Sequence, residues 1–296
     1  MALVVFAVCM VSYSGPMVKG ALNEGASPIS VALLRMLAAA LLMLPYEARQ
    51  CVRRHIPMKL TPAQWGLTAL AAAFLAAHYI TWITSLTGTS TFASVALVCT
   101  QPLFVAFFSY VLFRERTPRR ALPGALLALL GAVTIALSGL SGQAAQATGQ
   151  EALRSNLLAL AGAVLMAAHW LAGRQIRQTL AAEVYTPVLY LITAALLALC
   201  LPLSGGFRMP LSALPYMAGL VIGSTLLGHA VFAYALSGVS ANVISFALLG
   251  EPVGAMIFSM IFFGEVPTWP VALGGLLTLM GLALYLAFAG GEKQPA

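Results

Sequence analysis

The chain contains no aspartate, and its eight acidic residues are all glutamate. That excludes an aspartyl-phosphate pump, an aspartic dyad and EF-hand calcium loops. No G-x-x-x-x-G-K-[ST] stretch occurs, so the chain has no Walker-type loop with which to use ATP. Charge of either sign is scarce: 8% of the 296 residues are charged and 61% are hydrophobic, whereas soluble domains carry about 25% charged residues. So little polar surface cannot cover a water-soluble body, and the lipid bilayer is the expected surrounding. The four cysteines, Cys9, Cys51, Cys99 and Cys200, have no metal-ligand spacing, and the three inside apolar runs read as small packing residues. No cofactor or metal is expected. The N-terminus has neither a basic n-region nor a small-x-small cleavage site, and reads as a first span rather than a signal peptide.

Long apolar runs fill the rest. Crossing ~30 Å of hydrocarbon takes about 20 apolar residues. Candidate spans fall near 2–22, 28–46, 64–86, 91–113 and 122–140, then near 155–173, 185–203, 213–236, 240–263 and 269–289. The expected fold is an all-α polytopic membrane protein of ten transmembrane helices. The longest polar connection, SGQAAQATGQEALR at 141–154, separates two sets of five.

The net charge of +7 does not point to nucleic acid, because the basic residues sit in short loops between apolar runs. Arg49, Arg53, Arg54, Lys59, Arg114, Arg116, Arg119, Arg120, Arg174, Arg177 and Lys293 fall on one side of the expected membrane. Only Arg154 and Arg208 lie in loops of the other side, with Lys19 near a helix end. Positive charge concentrates in cytoplasmic loops, so both termini are expected in the cytoplasm of an inner-membrane protein.

The halves repeat. Leu86, Gly88, Ser90, Pro102, Phe108, Ser109, Phe113 and Glu115 match Leu236, Gly238, Ser240, Pro252, Phe258, Ser259, Phe263 and Glu265 in one gapless register. The register continues through Gly124/Gly274 and Gly131/Gly281. Leu, Ala and Gly bias alone does not give paired Pro and Glu. With five spans per copy, the second copy enters the membrane from the opposite side. The expected organisation is therefore two inverted-topology repeats, 1–146 and 147–296, an arrangement found in many secondary transporters with a site near the midplane.

YSGPMVKGALNEGASPISVALLRMLAAALLMLP resembles the opening of an EamA domain of the drug/metabolite transporter superfamily. LFRERTPRRALPGALLALLGAVTIAL and LLGEPVGAMIFSMIFFGEVPTWPVALGGLLTLMGLALYL resemble the ends of two such domains. The resemblance implies ten helices and transport of small metabolites, often outward. In size and in aromatic and histidine content the chain is similar to YddG-type amino-acid exporters of that superfamily.

Candidate site residues are the polar and aromatic groups stranded in apolar runs. Gln101-Pro102 and Glu251-Pro252 occupy equivalent repeat positions near midspan. Each proline frees a carbonyl four residues earlier, at Val98 and Leu248, which in lipid must face protein or a wet cavity. Pro16 is a third kink position. Arg35 lies about 10 Å past Pro28 at ~1.5 Å per residue and has no acidic neighbour within the run. In lipid it would cost about 2.5–3.5 kcal/mol, so it is expected to face the interior, against Glu251, carbonyls or a substrate carboxylate. Its second-half counterpart, aligning Pro45 with Pro202, is Ile192.

His78, His169 and His229 lie in spans with aromatic company: Tyr79 and Trp82, Trp170, and Phe232. Such a set can stack on an organic solute and hydrogen-bond its ends; the plainer reading is an interhelical hydrogen bond for each histidine. Trp82 has an interfacial-belt alternative, the role assigned to Trp65 and Trp269. Tyr13, flanked by Ser12, Ser14 and Pro16, is another cavity candidate, and Lys19 reads as snorkelling to the headgroups.

The expected function is secondary transport by alternating access: export of small organic metabolites, amino acids foremost, including aromatic and apolar ones. One Arg and one buried Glu suit a zwitterion. A nucleotide sugar, a purine or a drug-like cation is the transport alternative. An intramembrane enzyme would need a nucleophile, metal triad or paired carboxylates at usable spacing, and none occurs. A scaffold would need neither the buried charges nor the kinks. Histidine titrates near neutral pH, which leaves proton coupling and facilitated movement both open.

Overall fold

The computed structural model describes residues 2–114, 118–138, 149–228 and 250–289. Among them every regular element is helical and no strand occurs. Helix α1 (Ala2–Ser12) gives way at Tyr13 to α2 (Ser14–Asn23). The break has a local cause. Pro16 has no N–H to offer the Ser12 carbonyl, and regular bonding resumes when Met17 N–H donates to Tyr13 O at 3.0 Å.

Helix α3 (Pro28–Arg53) starts on Ser27, whose side chain accepts from Ser30 N–H, with Pro28 in the first turn. It continues through Pro45, so Arg49 and Arg53, expected in a loop, are helical. Outside an apolar window, Glu47-Ala48-Arg49-Gln50 is still a run of good helix formers. Helix α4 (Pro62–Ser85) begins with a reciprocal Thr61/Gln64 capping box. After a short turn come α5 (Thr91–Val98) and α6 (Gln101–Phe113), separated at Cys99–Thr100 where Pro102 cannot donate to Val98 O. Helix α7 (Leu122–Ser138) follows a 3-10 turn.

The second half begins with α8 (Gly149–Ile176), which starts six residues before the apolar run, then α9 (Ala182–Leu199) and α10 (Leu214–Ala218). The last continues into a π-helical stretch, Gly219–Gly228. Helices α11 (Gly250–Phe263) and α12 (Trp269–Ala289) complete the described chain. Among the described residues seven helical stretches are long and apolar enough to cross a membrane, and Leu211–Leu227 and Gly250–Phe263 are shorter apolar helices.

The principal pairings are α7 with α12, α4 with α8, and α3 with α9. Helix α1 packs on the π stretch and on α11, while α5 lies against both α8 and α11. The α7–α12 crossing is backbone on backbone. A Cβ on Gly131 would collide with Thr278 N and Gly274 O, and one on Gly281 with Ala128 N. Gly131 thus packs on Gly274 and Gly124 on Gly281, each glycine against the repeat mate of the other. Outward faces carry exposed leucines such as Leu41, Leu126 and Leu276, as a lipid-facing surface requires.

Candidate functional site

Arg35 is the organising group. Its residue is 4% exposed. Nε donates to Thr225 Oγ1 at 3.2 Å, Nη1 donates to Ser14 Oγ at 3.2 Å, and the guanidinium lies over the Tyr79 ring at 5.2 Å from its centroid. Thr225 Oγ1 spends its own hydrogen on Leu220 O, five residues back in the π stretch, so it can only accept from the arginine. The ion pairs among the described residues are Lys19–Glu265 and Arg54–Glu183; Arg35 and Glu251 do not form one. A guanidinium has five donors. Here two are met by neutral hydroxyls, one each from α2 and the π stretch.

Tyr79, His78 and Trp82 extend this group along α4. The His78 and Trp82 rings stack at 5.8 Å and 14°, and His78 and Tyr79 meet edge-on at 5.1 Å. His78 Nδ1 lies 2.9 Å from Gly162 O on α8. A carbonyl can only accept, so Nδ1 carries the proton. His169 makes the reverse link, Nδ1 donating to Ala71 O on α4 at 2.9 Å. The two histidines staple α4 to α8 reciprocally.

Trp82 is 6% exposed, which removes the interfacial-belt alternative for it, while Trp65 and Trp269 are exposed. Trp82 Nε1 and Gln101 Oε1 are buried with no hydrogen-bond partner among the described residues. Buried polar atoms are nearly always paired, and the hydroxyls of Ser12, Thr91, Ser224 and Ser259 are likewise unmet among the described residues. Glu251, in the first turn of α11, is partly buried.

Tyr13, at the α1–α2 break, packs edge-on against Phe258 and Phe262 at 5.1 and 5.6 Å, and it faces Gly219 and Gly223 of the π stretch. Trp170 is 51% exposed and makes no ring contact with this set. His229, Phe232 and the Leu248 carbonyl lie outside the described residues, as does Glu115. Pro252 sits where the described part of α11 begins.

Lys19 differs from its sequence reading. Instead of snorkelling it is 6% exposed, its ammonium donating to Leu86 O at 2.7 Å. Thr225 was missed altogether. A lone threonine in GLVIGSTLLG gives no sign that it will meet an arginine far away in sequence. Among the described residues no group of His, Cys and Glu is placed to hold a metal ion.

Buried polar groups inside a body of apolar helices fit a multi-pass membrane protein. The sequence matches the EamA-like transporter family over residues 1–137 and again over 153–287, and the chain belongs to that family. No curated protein matches it closely enough to count as a relative. A solved crystal structure, described only as that of a protein, is 18% identical and superposes with a TM-score of 0.64, covering 98% of each chain. At that identity the likeness concerns the fold alone.

Proposed function

We propose that the chain is a secondary carrier of small organic metabolites, with amino acids as its substrates and export as its direction. Arg35 carries the reading: a deeply buried guanidinium that forms no ion pair with a carboxylate among the described residues can receive one from solution. An α-carboxylate from solution would complete its donor set in a bidentate pair. Gln101 Oε1 and Glu251 are acceptors suited to the ammonium end. Tyr79, His78 and Trp82 offer aromatic faces to an apolar or aromatic side chain. A site with one arginine suits a zwitterion better than the phosphates of a nucleotide sugar, which call for more cations, or a drug-like cation, which calls for none. The aromatic and histidine content is similar to that of YddG-type amino-acid exporters.

The pattern of packing supports ten helices in two inverted repeats, 1–146 and 147–296. A twofold axis in the membrane plane relates the fifth and tenth spans, and the second and seventh, to each other; these are the α7–α12 and α3–α9 pairs. The same axis exchanges the α4–α8 pair with the pair of α1 and the π stretch, each of which is in contact. The concentration of basic residues in one set of loops supports cytoplasmic termini in an inner membrane. Substrate binds in a chamber lined by Arg35, Tyr79, Trp82, Gln101 and Glu251, with His78 and His169 holding its α4–α8 wall. Pro16, Pro102 and Pro252 supply the bends by which its ends open in turn.

The test is counterflow in liposomes containing purified protein and unlabelled solute. Labelled amino acid is expected to accumulate, and labelled nucleotide sugar or organic cation is not. Accumulation of either of those in place of every amino acid would overturn the substrate claim, and flux of no solute would overturn the carrier.

A further inference from the structure

Lys19 and Glu265 come from α2 and from the segment after α11, elements that pack against each other. Both reach across to the turn between α4 and α5. Lys19 Nζ donates to Leu86 O at 2.7 Å and lies 3.5 Å from Thr89 O. Glu265 Oε2 accepts from Thr91 N–H at 3.0 Å. Between themselves the two charges are loosely paired, at 3.8 Å, with side chains 8% and 13% exposed.

The positions follow helix chemistry. Leu86 closes α4, where the last carbonyls lack partners and the helix dipole is negative; Thr91 opens α5, where the first N–H groups lack partners and the dipole is positive. The cation sits on the carbonyl end and the anion on the amide end. Gly264, with φ +63, makes the bend that brings Glu265 there.

The geometry points to a clasp: Lys19 and Glu265 hold the α4–α5 turn and close the mouth of the chamber on that face, releasing it when the carrier opens there. This rests on the carrier reading but on no particular substrate. Release leaves no charge orphaned. Once the turn withdraws, Lys19 and Glu265 face water and each other, and Ser90 still caps α5 through its bond to Ala93 N–H. That is the property a two-state element needs. The lysine half is not repeated: in the register that aligns Pro45 with Pro202, Lys19 falls on the buried Ile176, while the repeat mate of Glu265, Glu115, lies outside the described residues. On the opposite face the Arg54–Glu183 pair has its arginine 64% exposed, where screening weakens it.

The test uses the full chain with its four cysteines replaced and Gln101→Cys as reporter, in oriented vesicles, with a membrane-impermeant maleimide added on the Lys19 face. Lys19→Met and Glu265→Ala are expected to raise the labelling rate from that face about tenfold or more, as loss of a charge-assisted bond should. Lys19→Arg keeps the donors and the intact rate. The exchange Lys19→Glu/Glu265→Lys keeps the ion pair but puts each charge on the wrong helix end, so it is expected to label as fast as the broken variants. Intact rates in the exchange variant would overturn the clasp in favour of a plain ion pair. Unchanged labelling in Lys19→Met and Glu265→Ala, with each monodisperse in detergent, would also overturn it. Unchanged labelling from the Lys19 face, with the reporter still labelled from the opposite face in every variant, leaves the carrier standing while the clasp falls; labelling from neither face in any variant sinks both.

Discussion

Replacing Arg35 by methionine separates holding the fold from binding the substrate. The guanidinium gives hydrogen bonds to Ser14 and Thr225 and a contact over Tyr79. Hydrogen bonds to a charged group contribute about 1.5–3 kcal/mol each, and a desolvated cation–π contact about 2 kcal/mol. Against these stands about 2.5–3.5 kcal/mol for placing an arginine in a membrane helix. Methionine fills much of the same volume, and Thr225 keeps its bond to Leu220 O. Stability should therefore fall by about 2–5 kcal/mol, read as a lower melting temperature. Binding by the protein that remains folded should suffer separately. Removing one partner of a desolvated charge pair costs about 2–5 kcal/mol, which at 1.4 kcal/mol per decade is roughly 30-fold to several thousand-fold in affinity. Arg35→Lys should fall between, since the ammonium keeps the charge but not the fork. The assay is the concentration dependence of counterflow beside a melting curve on the same preparation. A well-folded Arg35→Met protein with affinity within about threefold of wild type would refute the assignment.

Three other outcomes follow from particular contacts. Gly131→Leu drives a side chain into Thr278 N and Gly274 O and should cost at least about 1–3 kcal/mol, read as a lower melting temperature; an unchanged melt would mean α7 and α12 are not in backbone contact. His78→Gln keeps an N–H for Gly162 O and should leave both stability and the response of flux to an imposed pH gradient unchanged, because the staple needs a donor and not a proton exchanger. Loss of pH response in that variant would assign His78 to proton coupling. Trp82→Phe removes the unmet Nε1 donor while keeping a ring beside His78. It should not lower the melting temperature, and it should weaken substrate by about tenfold if that donor meets the solute; a melting loss with unchanged affinity would make Trp82 a packing residue only.

The all-helical class was legible because lipid leaves the backbone so few options: apolar runs of sufficient length become helices. The breaks at Tyr13 and Cys99–Thr100 fall beside Pro16 and Pro102, whose missing N–H leaves the carbonyl four residues back unpaired, whereas α3 runs unbroken through Pro45 and α9 through Pro187. What lay beyond reading was tertiary. Nothing in VKGALNEG says whether Lys19 meets headgroups or the carbonyl end of α4, because that depends on which turn packs beside it. Trp82 was ambiguous for the same reason, its sequence being compatible with a belt or an interior. Arg35 needed a partner by energy alone, but hydroxyls and a ring as partners required Ser14, Thr225 and Tyr79 to be brought together from three elements. The helical extension of α3 past Pro45 was hidden because a hydropathy window ends where lipid does, not where the helix does.

The central claim is that solute and water share a chamber beside Arg35. The most direct measurement is maleimide modification of Gln101→Cys in an otherwise cysteine-free chain, with and without amino acid. Modification by an impermeant reagent from the aqueous phase, slowed by a bound amino acid in proportion to its occupancy, is the result expected. Modification only by a lipid-soluble reagent, indifferent to every solute added, would contradict it.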